Sequence, residues 1–99
     1  MQHYSCKAQD MVTVHLLISG KVQGVYFRVS AKEKADELVL TGWVRNTESG
    51  AVEAEASGPA ERVKAFIDWC HRGPEDARVI SVAVSSMPPK EFENFAVHR

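Results

Sequence analysis

Nine consecutive residues, Gly20-Lys21-Val22-Gln23-Gly24-Val25-Tyr26-Phe27-Arg28, have the types and spacing that suit chemistry. An alternating apolar run, Val12, Val14, Leu16 and Ile18, precedes them and predicts a strand. Phe27, Ala31, Ala35 and Leu38 follow at helical spacing. The stretch is therefore a strand-to-helix turn with two glycines and an arginine at the helix start. Such a turn leaves several backbone N–H groups without intrahelical partners, aimed at one spot. The helix dipole adds partial positive charge there. Arg28 adds a full charge on a planar fork that matches phosphoryl oxygens. The chemistry this predicts is a small oxyanion cradle suited to phosphate. An ordinary glycine turn with a solvated arginine has the same Gly-x-x-x-Gly spacing, and spacing alone favours that reading. The nucleotide loops are excluded, because no Gly-Lys-Ser/Thr ends the stretch and it is not Gly-x-Gly-x-x-Gly.

Other catalytic sets are missing from the sequence. The histidines, His3, His15, His71 and His98, have no metal-ligand spacing, and Cys6 and Cys70 have no zinc spacing. Neither cysteine has an arginine six residues on. No Asp-x-Asp pair is present to carry a phosphoryl group. Ser19 and Ser30 lie near the turn, but no histidine is placed to activate either. His15 falls on the water face of its strand as a surface residue. Asn46 stands apart. It shares parity with Val44 and ends a second predicted strand. If that strand runs parallel to the first, Asn46 sits at the rim on the cradle's side. A turn asparagine opening a hairpin is the competing reading.

The nine-residue stretch resembles the signature of the acylphosphatases. Gly42-Trp43-Val44-Arg45-Asn46, followed by Gly50 and Val52-Glu53, resembles a second stretch of the same family. Weaker likeness continues through Gly73-Pro74, Ala77-Arg78-Val79 and Phe95-Ala96-Val97, so the resemblance covers most of the chain from Val12 onward. It implies a ferredoxin-like fold and hydrolysis of acyl phosphates, such as 1,3-bisphosphoglycerate, acetyl phosphate or carbamoyl phosphate. Arg28 matches the family's phosphate-binding arginine and Asn46 its water-orienting asparagine. Gln23, Gly24, Val25, Tyr26 and Phe27 would bind phosphate through backbone N–H groups. Val25 and Phe27 would also pack, and Tyr26, variable in the family, would shape the entrance. Many relatives carry an aromatic where this chain has Val29.

So small a catalytic set fits one substrate class. An acyl phosphate leaves as a carboxylate, whose conjugate acid has a pKa of ~4, and needs no general acid at neutral pH. Phosphoryl transfer has a loose transition state, so positioning and charge stabilisation do most of the catalysis. No metal, cofactor or covalent intermediate is called for.

These residues must be positioned by the elements around them. The first strand is predicted from Val12 to Ser19 and the first helix from Phe27 to Leu38, with Gly42 closing the helical region. Trp43 to Thr47 and Ala51 to Ser57 form a hairpin about Glu48-Ser49-Gly50. Pro59 opens a second helix, whose Val63, Phe66, Ile67 and Cys70 make an apolar stripe with Trp69 at its edge. Gly73-Pro74 stops it. Ala77 to Ser85 is a fourth strand with Ile80, Val82 and Val84 on one face, and Phe95 to His98 a short fifth. The expectation is an α+β, two-layer ferredoxin-like sandwich, β-α-β-β-α-β plus the final strand. The antiparallel sheet is ordered 4-1-3-2, with the fifth strand at an edge and the helices covering one face only.

The chain has 99 residues, enough for one core. Residues 1–10 are expected to be a loose polar tail and 11–99 an acylphosphatase-like domain; Met11 is an alternative start. The net charge of −1 lacks the basic excess of a general nucleic-acid binder, although Lys21, Arg28 and Arg45 supply local positive charge. An RNA-binding domain of this topology would carry aromatics on the open sheet face, where this chain has Thr13, His15, Leu17, Glu53 and Glu55. No apolar run spans a membrane and the N-terminus lacks a secretory signal. Cys6 and Cys70 read as free thiols of a cytoplasmic protein. The expected partners are a small acyl phosphate substrate and inorganic phosphate or sulfate as inhibitor, with no nucleic acid or membrane, and the protein is expected to be a monomer. A non-catalytic anion-binding or regulatory module is the rival. It would need the cradle and Arg28 but not Asn46.

Overall fold

A computed structural model describes residues 11–98. Its element order is β1 (Met11–Lys21), α1 (Phe27–Glu37), β2 (Thr41–Asn46), β3 (Val52–Pro59), α2 (Ala60–Arg72), β4 (Arg78–Met87) and β5 (Phe95–Val97). β1 pairs with β3 so that Val14, Leu16 and Ile18 stand opposite Ala56, Ala54 and Val52. β2 adds Val44 opposite Ala54. The alternation in each strand therefore lands on one continuous apolar face. α1 covers it with Phe27, Ala31 and Ala35, and α2 with Val63, Phe66 and Cys70, all buried. Burying a Val, Leu or Ile side chain contributes about 1.5–3 kcal/mol. A one-residue slip would turn Leu16, Ile18, Val44 and Val52, all at 0% exposure, toward water at once. Cys70 is a free thiol, and burial pushes its pKa well above the usual range. The expected tail, 1–10 with Cys6, lies outside the described residues.

The sheet order is β4-β1-β3-β2-β5, as expected, but the sheet is mixed: β5 runs parallel to β2. The reason is reach. β4, an edge strand, finishes at the end of the sheet from which β2 starts, and β5 sits at the opposite edge. Crossing four inter-strand spacings takes roughly 19 Å, while the residues numbered 88–94 span at most roughly 25 Å when extended. The segment spends most of its length crossing the width, and β5 starts at the same end as β2.

That crossing also corrects the expectation of an uncovered second face. Lys90 N–H donates to Thr13 Oγ1 at 2.9 Å, and Ser57 Oγ donates to the Lys90 carbonyl at 2.9 Å. The Ser57 hydrogen is thereby used, so the 2.8 Å contact between Thr13 Oγ1 and Ser57 Oγ has Thr13 as donor. Lys90 Nζ reaches Glu55 Oε1 at 3.1 Å. Thr13, Glu55 and Ser57 are buried beneath this strap.

Three local expectations also change. α1 does not run on to a glycine stop at Gly42. It closes at Val39 (φ 57°), whose N–H donates to Asp36 O while Leu40 N–H donates to Ala35 O. Gly42 lies inside β2 instead, where a Cβ would come within 1.9 Å of the Glu55 carbonyl. Gly20 and Lys21 belong to β1, and the turn is Val22 to Tyr26. Opposite Gly20, the β1–β4 register shifts, with Ser19 facing Ser81 and Gly20 facing Val79. The skipped residue, Ile80, is 82% exposed, so Val79 rather than Ile80 joins Val82 against the core.

Candidate active site

The turn from Val22 to Tyr26 is anchored by its apolar side chains. Val22, Val25 and Phe27 are buried, and the Phe27 ring packs 5.3 Å from that of Trp69 on α2. The polar capacity of the turn is left outward. Gly24 (φ 76°) and Tyr26 (φ 63°) have positive φ on either side of Val25, which does not. Alternation of this kind turns successive N–H groups to one side as an anion-binding concavity. Among the described residues, no acceptor meets the backbone N–H groups from Gly24 to Arg28. The first α1 bond is Ser30 N–H to Tyr26 O at 3.0 Å. α1 also has no side-chain cap and no acidic residue in its first turn, so nothing there offsets the dipole. Tyr26 is strained for a non-glycine residue and is 80% exposed.

Arg28 follows on the first turn of α1. Its Nη1 donates to the His98 carbonyl at 2.8 Å, just beyond β5. His98 is held by its own N–H on Val44 O at 2.8 Å and by its ring stacked 5.7 Å from Trp43. No carboxylate among the described residues pairs with Arg28. Asn46 ends β2 on the Val44 face, and its side chain makes no hydrogen bond to a described residue. A hollow of about 440 Å³ is lined by Val22, Gly24, Tyr26, Phe27, Arg28, Val29 and Asn46. An adjoining one of about 700 Å³ is shared by Arg28, Val29, Asn46 and Val97. Arg28 and Asn46, 18 positions apart in the sequence, thus face one space.

The two other cations do not join them. Arg45 Nε donates to Glu53 Oε1 at 2.7 Å on the opposite face of the sheet. Lys21 lines a separate polar recess with Glu75, Asp76 and Arg78. His15 is not a solitary surface residue: its Nε2 lies 2.6 Å from Glu53 Oε2. That hydrogen bond first, and the one from Arg45, hold the Glu53 carboxyl below its ordinary 4.5 against an opposing desolvation. The Gln23 side chain, for which no partner was expected, turns to the β2–β3 turn and bonds the Thr47 and Ala51 carbonyls. Val29, Val97 and the His98 carbonyl were not foreseen around the hollow. Helical spacing could have placed Val29 beside Arg28, but no local signal marks a carbonyl 70 positions away. No group of three or more His, Cys, Asp or Glu side chains gathers as a metal site among the described residues.

The acylphosphatase family model matches residues 14–97. An acylphosphatase of Marinobacter nauticus is 55% identical over 82 residues, 82% of this chain and 89% of its own length. One from Methylococcus capsulatus is 53% identical over 90 residues, 90% of this chain and 98% of its own. A solved acylphosphatase from Coxiella burnetii superposes with a TM-score of 0.89 at 37% identity, covering 99% of this chain and 100% of that one. The chain belongs to the acylphosphatase family. It is a hydrolase acting on the carboxyl–phosphate anhydride of acyl phosphates, releasing carboxylate and inorganic phosphate. In this acylphosphatase the hollow lies where the C-terminal end of β1 and the N-terminus of α1 meet the end of β2. No described helix is long and apolar enough to cross a membrane.

Proposed function

We propose that this chain hydrolyses small acyl phosphates without a metal, with Arg28 holding the phosphoryl group and Asn46 orienting the attacking water. The observation that carries the reading is the shared hollow. A cation and an amide from different elements face it, beside backbone N–H groups that meet no acceptor among the described residues. The N–H groups of Gln23, Gly24, Val25, Tyr26 and Phe27 would take the phosphoryl oxygens together with the Arg28 fork. Those donors strengthen as charge spreads over the equatorial oxygens in the transition state. The Asn46 side-chain carbonyl accepts from a water and points its lone pair at phosphorus, opposite the acyl oxygen. The new P–O bond forms from water, and the bond to the acyl oxygen breaks. The carboxylate departs with the electron pair, and the water's proton passes to solvent. An amide is no base, and the low basicity of the leaving carboxylate makes a protein acid unnecessary. Serine phosphates, with a far more basic leaving group, would be poor substrates.

We propose also that the protein works as a cytoplasmic monomer, a reading supported by a hollow built from one chain. The decisive assay is benzoyl phosphate hydrolysis in ¹⁸O water with EDTA present. Full activity, label in the phosphate and competition by inorganic phosphate or sulfate are expected. Loss of activity in EDTA with recovery on adding magnesium would overturn the metal-free mechanism. Label in benzoate would overturn attack at phosphorus.

A further inference from the structure

Two hydrogen bonds from one side chain tie the cradle to the hairpin. Gln23 Nε2 donates to the Thr47 carbonyl at 2.8 Å and to the Ala51 carbonyl at 2.8 Å. Both partners are acceptors only, so the atom between them is the amide nitrogen and both its hydrogens are committed. Thr47 and Ala51 form the neck of the β2–β3 turn. Thr47 N–H donates to Ala51 O at 2.9 Å, and Ala51 N–H donates to Thr47 Oγ1 at 3.1 Å. Asn46 is the residue joined to that neck. Among the described residues, no other side-chain hydrogen bond links the cradle turn to this hairpin. The β1–β3 ladder has already ended, with Ile18 opposite Val52. Asn46 is the last β2 residue in the ladder, opposite Val52, so beyond Ile18, Val52 and Asn46 backbone pairing no longer sets the spacing between the two turns.

We infer that the Gln23 side chain is a positioning residue for the hydrolytic step, fixing the separation between the phosphoryl group in the cradle and the water on Asn46. The inference rests on the roles proposed above for the cradle and Asn46. In-line attack tolerates little error, and a displacement of about 1 Å costs on the order of a hundredfold in rate. Arg28 and the cradle N–H groups bind the phosphoryl group whether or not the hairpin is in place. Loss of the clamp therefore separates the water from its target and leaves the anion bound.

The test is a double-mutant cycle with Gln23→Met, which keeps the side chain's length and removes both donors. In the parent protein, Gln23→Met lowers kcat on benzoyl phosphate by roughly ten- to a hundredfold. The phosphate Kd by calorimetry stays within about twofold. In the Asn46→Ala background the same change lowers kcat by less than about twofold, because a clamp for an absent amide has nothing to align. A purely structural Gln23 would lower the melting temperature equally in both backgrounds and leave kcat of the folded protein unchanged. Equal kcat losses in both backgrounds, or phosphate affinity falling in step with kcat, overturn the inference. Should Gln23→Met not fold, Gln23→Glu, nearest in shape but with no donor when ionised, is carried through the same cycle. If Asn46→Ala alone keeps the parent kcat, the site reading falls and the clamp with it. If Asn46→Ala is slow but Gln23→Met is not, only the clamp falls.

Discussion

The turn after β1 and the end of β2 meet at one hollow, and the turns that follow those two strands use their backbones differently. The β2–β3 turn is closed on itself at its neck. Thr47 N–H bonds Ala51 O, Gly50 N–H bonds Thr47 O, and Thr47 Oγ1 accepts from Ala51 N–H. In the β1–α1 turn the N–H groups from Gly24 to Arg28 meet no acceptor among the described residues, and Tyr26 is held at positive φ. An unmet donor that loses its water costs about 1–3 kcal/mol. A bound anion recovers that cost and supplies binding energy. A turn closed on itself at its neck holds still. On the proposed roles, the first turn grips the phosphoryl group and the second steadies the residue that places the water.

That division is broken or sharpened by mutation on each side. The largest effect is expected at Arg28. Arg28→Ala should weaken phosphate binding and lower kcat by roughly three or more orders of magnitude. Arg28→Lys should recover little, because an ammonium cannot reproduce the fork. Calorimetry with phosphate beside steady-state kinetics measures both, and a near-normal phosphate Kd in Arg28→Ala would dissolve the contrast. Asn46→Ala comes next. Its kcat should fall by roughly two or more orders of magnitude with phosphate affinity kept, the pattern of an interaction made chiefly in the transition state. A folded Asn46→Ala protein with parent kcat would make Asn46 only a hairpin residue.

The smallest effect belongs to the hairpin's outer face. Glu53 holds Arg45 and His15, and its carboxyl titrates below 4.5 in the folded chain. A group depressed in this way adds stability that is complete above pH 4.5 and vanishes as the pH falls through its lowered value. Glu53→Gln should therefore melt lower than the parent at neutral pH, by about 1 kcal/mol or less, with the gap closing in acid. Its phosphate Kd should not move. A gap that instead widened on acidification would reverse the assignment.

Much of this was legible in the residues. Val12 through Ile18 announced a half-buried strand, and Val63, Phe66, Ile67 and Cys70 a helix stripe, because each pattern has the period of its element. The strand-to-helix turn with its glycines and arginine was legible because these elements are contiguous. Asn46 was legible by parity with Val44 and by its match to the family. Arg45 was grouped with Arg28 as local positive charge, although its parity, opposite to that of Val44 and Asn46, already sets it on the other face. Ile80 was misplaced because a bulge depends on the partner strand's Gly20, far away in the chain.

The sequence by itself determined the order of elements, the apolar faces and the chemical types in the turn, all properties of neighbours within one or two helical turns. Only the tertiary structure decided that β5 runs parallel to β2, that the segment from 88 to 94 straps the second face, and that His98 receives Arg28. Tertiary structure alone also decided that Gln23 spends its amide on the hairpin. Each of these joins residues at least 24 positions apart through a carbonyl or a backbone pairing. Every residue type offers the same carbonyl, so such a partner leaves no mark on the sequence and is chosen only when the chain closes on itself.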